Sequence, residues 1–191
     1  TRRTTEWRNS MDNGASSYRR FLEGDRSAFD EILILYKDHL IFFLNGFVHN
    51  LTVAEDLAAD AFAYLLLHPK RYDFSVSLKT YLFMIGRSRA LDWLRHEKHL
   101  SPTELTAFPG ADKDAPLPEE QLLQEEEKKA LYKALGKLND DYRTALYLIY
   151  FEELSYEEAG TVMKKRKKQV ENLVYRAKSA LRRELGKDGG T

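Results

Sequence analysis

The residues best placed to act on a partner lie between Lys164 and Arg183. Lys164, Lys165, Arg166, Lys167 and Lys168 form an unbroken cationic run, followed by Arg176, Lys178, Arg182 and Arg183, against Glu171 and Glu184 alone. Five cations at a helix start oppose the macrodipole and cost about 0.3–1 kcal/mol per badly placed group, a sign that an anionic partner reverses. Gln169 and Asn172 stand one turn apart, and each side-chain amide can pair with an adenine edge in bidentate fashion. Cations for phosphates together with amides for base edges is the chemistry of reading a DNA duplex. A basic face that is merely solvated would carry the same charge, so the surrounding elements must decide.

Those elements read as two helices joined by a tight basic turn. Ser155 and Glu158 have the spacing of a capping box, and Tyr156, Ala159, Val162 and Met163 then form an apolar stripe. The stripe resumes at Val170, Leu173, Val174, Ala177 and Leu181, which leaves the opposite, basic face free. The pattern is that of a helix-turn-helix whose second helix enters a major groove.

Other chemistries find little support. His39, His49, His68, His96 and His99 have no metal-ligand spacing, no glycine-rich phosphate loop exists, and there is no cysteine for a thiolate site or disulfide. No catalytic residue, cofactor or metal is expected, and the chain does not read as an enzyme. The adjacent carboxylates Glu55-Asp56 and Asp140-Asp141 suit caps and solvated faces. Apolar runs fall far short of the ~20 residues that span a bilayer, so no membrane insertion is expected, and the cytoplasm is the expected compartment.

With 191 residues, 43% of them hydrophobic, the chain can hold one or two globular domains. Its 30 basic and 30 acidic residues cancel, but unevenly. Residues 101–127 hold Glu104, Asp112, Asp114, Glu119, Glu120, Glu125, Glu126 and Glu127 against Lys113, and Pro102 to Glu119 contains four prolines. The expected fold is therefore all-α: two small helical domains joined by an acidic, Pro-containing linker, the C-terminal one bearing the helix-turn-helix. Residues 1–16 read as a flexible N-terminus, 17–100 as the first domain, 101–120 as the linker, 121–186 as the second domain and 187–191 as a tail. The acidic linker is suited to lie across a basic face of the free protein and screen it.

In the first domain, Ser17 to Leu22 predicts a short helix and Asp25 a cap for a longer one carrying Phe29, Ile32, Leu33, Tyr36, Leu40, Phe43, Leu44 and Phe47. Thr52 with Glu55 predicts a further capping box, and Ala54 to Leu67 a helix stopped by His68-Pro69. After a loop over 71–76, Ser77 is expected to cap a helix with a basic, aromatic side made of Lys79, Phe83, Arg87, Arg89, Trp93 and Arg95. Cations interleaved with rings suit a single strand, where stacking is worth ~1–3 kcal/mol per base. In the second domain, Asn139-Asp140-Asp141 is expected to cap a helix that buries Tyr142, Ala145, Leu146, Ile149 and Tyr150.

AEDLAADAFAYLL, then KRYDFSVSLKTYLFMIGRSRALDWLR, then LNDDYRTALYLIYFEELSYEEAGTVM and QVENLVYRAKSALRREL resemble, in this order, a bacterial RNA polymerase sigma factor of the extracytoplasmic-function (ECF) class. The resemblance spans about Ser17 to Leu185 and implies an initiation subunit whose partners are core RNA polymerase, promoter DNA and an anti-sigma factor. It implies that Glu55, Asp56 and Asp60, with Phe62 and Leu65 beneath or beside them, meet the polymerase core. It implies that Arg71, Tyr72, Asp73 and Phe74 capture a flipped minus-ten base, and that Lys79, Phe83, Arg87, Ser88, Arg89 and Trp93 follow the melted strand or the duplex just upstream. Lys164, Lys165, Arg166, Lys167, Lys168, Gln169, Asn172 and Arg176 would meet the minus-thirty-five element. The chain departs from the family's usual residues at Ala59, often glutamine, at Ser88, often asparagine, and at Lys164-Lys165, where a glycine and an apolar residue are usual. The other reading of the same residues is a free-standing helix-turn-helix regulator.

Overall fold

The computed structural model describes residues 14–100 and 119–188, and every described element is helical. Residues 101–118, which hold most of the expected 101–120 linker, and both chain ends lie outside the described residues. In chain order the helices are α1 (Ala15–Leu22), α2 (Ser27–Val48), α3 (Leu51–Leu67), α4 (Leu78–Leu100), α5 (Glu119–Gly136), α6 (Asp140–Leu146), α7 (Tyr156–Met163) and α8 (Lys167–Asp188). A short 3₁₀ turn, Pro69–Arg71, follows α3, and a π-helical turn, Tyr147–Phe151, follows α6.

The first domain is built on α2, whose buried Ile32, Tyr36, Leu40, Phe43, Leu44 and Phe47 recur at helical spacing. The cap position of α2 is Arg26, which makes no side-chain cap bond, rather than the expected Asp25; Asp25 lies one residue upstream, where its Oδ1 accepts from the Ser27 amide at 3.1 Å in the turn that leads into the helix. α3 and α4 pack against α2, and α4 comes close because of Gly86, where a Cβ would lie 2.8 Å from Leu40 Cδ1. Tyr18 of α1 is fully buried and donates its hydroxyl to the Leu65 carbonyl at 3.0 Å, which satisfies an otherwise free acceptor in the last turn of α3. Ser77 caps α4 as expected, its Oγ accepting from the Thr80 amide at 3.1 Å.

One capping expectation is corrected. α3 begins earlier than the Thr52–Glu55 box requires, because Asn50 accepts from the Val53 amide at 3.2 Å and caps the helix at Leu51. Asparagine in an extended conformation is among the best N-caps, so it outcompetes the threonine two residues on.

In the second domain Asn139 caps α6 (Tyr142 N to Oδ1, 2.9 Å) and the Ser155–Glu158 capping box opens α7 with both of its reciprocal bonds. Between them the π turn widens the helix by one residue, with the Glu152 amide bonding back to the Tyr147 carbonyl five residues earlier at 3.1 Å. That extra residue shifts the register. Ala145 and Leu146 are buried as expected, Tyr142 and Ile149 are half-buried, and Tyr150 is instead 49% exposed.

The two domains pack on one another. α7 lies against α4, and α6 lies against α2. Phe42 and Phe43 of α2 both stack with Tyr147, at ring separations of 5.5 Å each, and Tyr147 stacks in turn on Phe151.

Candidate nucleic-acid and polymerase interfaces

Three surfaces gather the candidate residues. On α3, Glu55, Asp56 and Asp60 are exposed side by side, while Phe62 and Leu65 are buried and so support this face from beneath. Asp60 lies 3.9 Å from Arg89 of α4, whose guanidinium also sits 5.5 Å over the Tyr64 ring. Beside the acidic face runs a groove of about 660 Å³ between α2 and α3, lined by Phe29, Leu33, Ile41, Phe62 and Leu66 with Lys37, Glu55 and Asp56 at its rim. Sequence reasoning missed the α2 wall. Its signal was an apolar surplus on α2 beyond the one expected stripe, such as Ile41, which lines the groove.

The second surface is the loop over 71–77 with the start of α4. Tyr72 is buried and donates its hydroxyl to the Val76 carbonyl at 2.7 Å, and its ring lies 4.5 Å from that of Phe74. Phe74 takes φ 62°, a strained conformation for an aromatic residue, under the Arg19 guanidinium 4.8 Å from its ring. Asp73 accepts from the Ser75 amide at 3.0 Å, and the Ser75 hydroxyl and amide hold its carboxyl below the usual range. A cavity of about 500 Å³ opens between this loop and α7, with Arg19, Phe74 and Ser77 on one wall and Glu157, Glu158 and Thr161 on the other.

Along α4 the candidates separate. Ser88 is exposed, and Arg89 and Trp93 are half-buried. Phe83 is fully buried with its ring 5.0 Å from Phe43. Lys79 reaches the second domain, where its Nζ meets Glu152 Oε2 at 2.8 Å and donates to the Glu152 carbonyl at 2.6 Å. Arg87 is half-buried; burial pulls its guanidinium below the usual range, opposed by the charge of Asp141, and its Nε has no hydrogen-bond partner.

The third surface is the helix-turn-helix. Lys164 adopts φ 55°, the left-handed conformation that a glycine would supply at no cost, and the Lys165 amide returns to the Gly160 carbonyl at 2.8 Å. The glycine this turn depends on is Gly160, where a Cβ would lie 2.5 Å from the Lys165 carbonyl oxygen. Lys164, Arg166, Lys167, Lys168, Gln169, Asn172 and Arg176 are exposed together. Several are held internally: Lys165 by Asp141 at 3.1 Å, Lys167 by Glu157 at 2.6 Å and Lys168 by Glu171 at 3.1 Å. Gln169 Oε1 accepts from the Arg166 amide at 2.8 Å and so caps α8.

The candidate residues thus fall on three separate faces. Among the described residues no cluster could hold a metal ion, and no helix is long and apolar enough to cross a membrane. Residues 34–99 match the family described as Sigma-70 region 2, and residues 128–181 match Sigma-70, region 4. The RNA polymerase sigma-H factor of Pseudomonas aeruginosa is 33% identical over 176 residues, which is 87% of this chain and 90% of that one. The chain is an ECF-class sigma-70 factor.

The ECF RNA polymerase sigma factor SigW of Bacillus subtilis is 29% identical over 171 residues, covering 85% of this chain and 91% of SigW. Among solved structures, the sigma factor RpoE in complex with the anti-sigma factor NepR from Bartonella quintana shares the fold with a TM-score of 0.65. It is 23% identical over 83% of this chain and 96% of RpoE. As a sigma factor the protein serves transcription initiation with core RNA polymerase at promoter DNA, and the order of regions 2 and 4 along one chain does not favour a free-standing regulator.

Proposed function

We propose that the three faces divide the sigma factor's work, with a first domain over 17–100, a linker over 101–120 and a second domain over 121–186. Glu55, Asp56 and Asp60, with the adjoining apolar groove, grip a helical element of the polymerase core. Arg71 to Phe74 capture a base flipped from the minus-ten element, a step whose unstacking cost of about a few kcal/mol contacts to the extruded base offset. Lys79, Arg87, Ser88, Arg89 and Trp93 follow the melted strand, with Phe83 in the core behind them. Lys164 to Lys168 and Arg176 contact phosphates of the minus-thirty-five duplex while Gln169 and Asn172 read base edges. The protein acts by binding rather than by catalysis, in the cytoplasm with its polymerase. An anti-sigma factor is a fitting further partner, since the structural relative RpoE is held by one.

The observation that carries the core assignment is the conjunction of three exposed carboxylates with an apolar groove on the same helix. Its test is a pull-down with core polymerase, comparing wild type with the D56K/D60K double reversal. The reversal is expected to weaken retention by about 2 kcal/mol or more, the cost of losing a hot spot. Retention at the wild-type level moves the core interface off α3.

A further inference from the structure

Glu152 is the most deeply placed charge in the described structure: its side chain has no exposed surface, and it belongs to neither the helix-turn-helix nor any candidate site. Three hydrogen bonds and one ion pair surround it. Tyr147 of its own domain donates to Oε1 at 2.7 Å. The others come from the first domain: His39 Nδ1 on α2 at 2.9 Å from Oε1, and Lys79 Nζ on α4 at both Oε2 and the main-chain carbonyl. The Tyr147 hydroxyl also lies 3.1 Å from the His39 carbonyl. One carboxylate of the second domain thus fastens two helices of the first.

A second carboxylate repeats the arrangement. Glu158 Oε2 completes the capping box of α7, while its Oε1 accepts from Ser77 at 3.2 Å and Thr80 at 3.3 Å, the hydroxyl pair at the start of α4. Between them the two glutamates hold Lys79 and the helix start on which a melted strand would lie. Phosphates offer the same chemistry, anionic oxygens accepting from lysine and hydroxyl groups. Arg87, a few residues along, is half-buried, feels the charge of Asp141 of the second domain and has its Nε unpaired, so closure does not give it what an anionic strand would.

We propose that Glu152 is an intramolecular latch: it and Glu158 occupy the strand-binding start of α4 in place of DNA phosphates, so the free factor cannot take single-stranded DNA until the domains part. The inference rests on the reading of α4 as the strand-binding helix. Beside these polar bonds the interface holds the ring contacts of Phe42 and Phe43 with Tyr132 and Tyr147, within an apolar cluster that runs through both domains; interfaces of such mixed polar and apolar character within one chain are of the kind that open.

The chain has no cysteine, so labels can be placed at will. Spin labels at K70C and R183C, both exposed and one in each domain, report the inter-domain distance in the full-length protein. The wild type is expected to give one narrow distribution, and E152Q a broader and longer one with helical content retained. H39A, altering the half-exposed partner of the same carboxylate, is expected to move in the same direction. A labelled single-stranded oligonucleotide of mixed sequence should bind E152Q at least tenfold more tightly than wild type. Unchanged distances in both variants overturn the latch, and opened domains with unchanged oligonucleotide affinity overturn the occlusion. Failure of the α4 reading shows elsewhere: R87A in core-bound holoenzyme on promoter DNA would keep its permanganate-detected strand opening, whatever the free protein does.

Discussion

The two surfaces proposed to meet DNA in this sigma factor are built from the same residue types and kept in opposite conditions. The cations of α8 stand in water on a face no other part of the described chain covers, and their partners are neighbouring surface carboxylates such as Glu157 and Glu171. Exposed pairs of that kind are worth about 0–1 kcal/mol and exchange readily for phosphate. Lys79 of α4 instead reaches the second domain, where it is paired with a fully buried carboxylate, and Arg87 is half-buried with Asp141 of that domain as its charged neighbour. Removing one partner from such a pair strands the other and costs about 3–5 kcal/mol. Equal charge along a sequence therefore conceals two different degrees of availability, one immediate and one conditional on a domain movement.

The largest effect should come from destroying the exposed surface at its turn. G160A places a Cβ against the Lys165 backbone, which cannot swing aside, whereas G86A meets only the end of the Leu40 side chain. Urea unfolding should show G160A losing about 2–3 kcal/mol and G86A about 1 kcal/mol, the range for overpacking. Equal losses would mean that α7 and α8 tolerate a wider turn.

The covered surface should respond to acid. Burial pushes the Glu152 carboxyl up, but hydrogen bonds from Lys79, Tyr147 and His39 and the Lys79 charge outweigh it and hold it below the usual value of 4.5. Glu158 behaves alike: burial raises it, and bonds from Ser155, Ser77 and Thr80 more than compensate. Both are depressed in the closed form, so closure is fully favoured above the ordinary glutamate value and is lost as pH falls through the depressed ones. The label distance between residues 70 and 183 should therefore stay short at neutral pH and lengthen only below about pH 4.5. Lengthening that begins near neutrality would assign closure to some other group.

Sequence reading should separate Asn172 from Gln169. N172A is expected to relax discrimination at one base pair by ~1–3 kcal/mol in competition binding. Q169A should do the same and also lower helix stability by ~1 kcal/mol, because Gln169 caps α8 through the Arg166 amide. The smallest effect belongs to K168A, which should reduce the salt slope of duplex binding by about one unit without changing preference.

The helical order, the capping box at Ser155, the Ser77 cap and the basic turn are legible from local spacing, because each depends on residues within a turn of one another. The features that escape a sequence reading depend on longer reach. His39 meets Glu152 across 113 positions, a contact that no periodicity announces. Glu152 carries no motif of its own, although a glutamate set directly after the apolar run Tyr147 to Phe151 hints that a buried partner is needed. Phe83, expected on the strand-facing side, is buried because α4 is covered by α2, by α3 and by the second domain, and so has little face to spare. Tyr150 is misplaced by the π turn, whose extra residue leaves no mark in the apolar pattern. The acidic linker, expected to screen a basic face, lies outside the described residues, while the acidic groups seen against α4 come from Glu152 and Glu158.

That π turn has a bearing on how such a chain could change over generations. It holds one residue more than an α-helix would use between Tyr147 and Glu152. Loss of a single codon there would let the helix run on straight and rotate the residues beyond it by roughly 100°, one residue's share of a 3.6-residue turn. Glu152 would then no longer face His39 and Lys79. If the latch proposed above holds, one small in-frame deletion separates a factor that folds over itself from one that stands open.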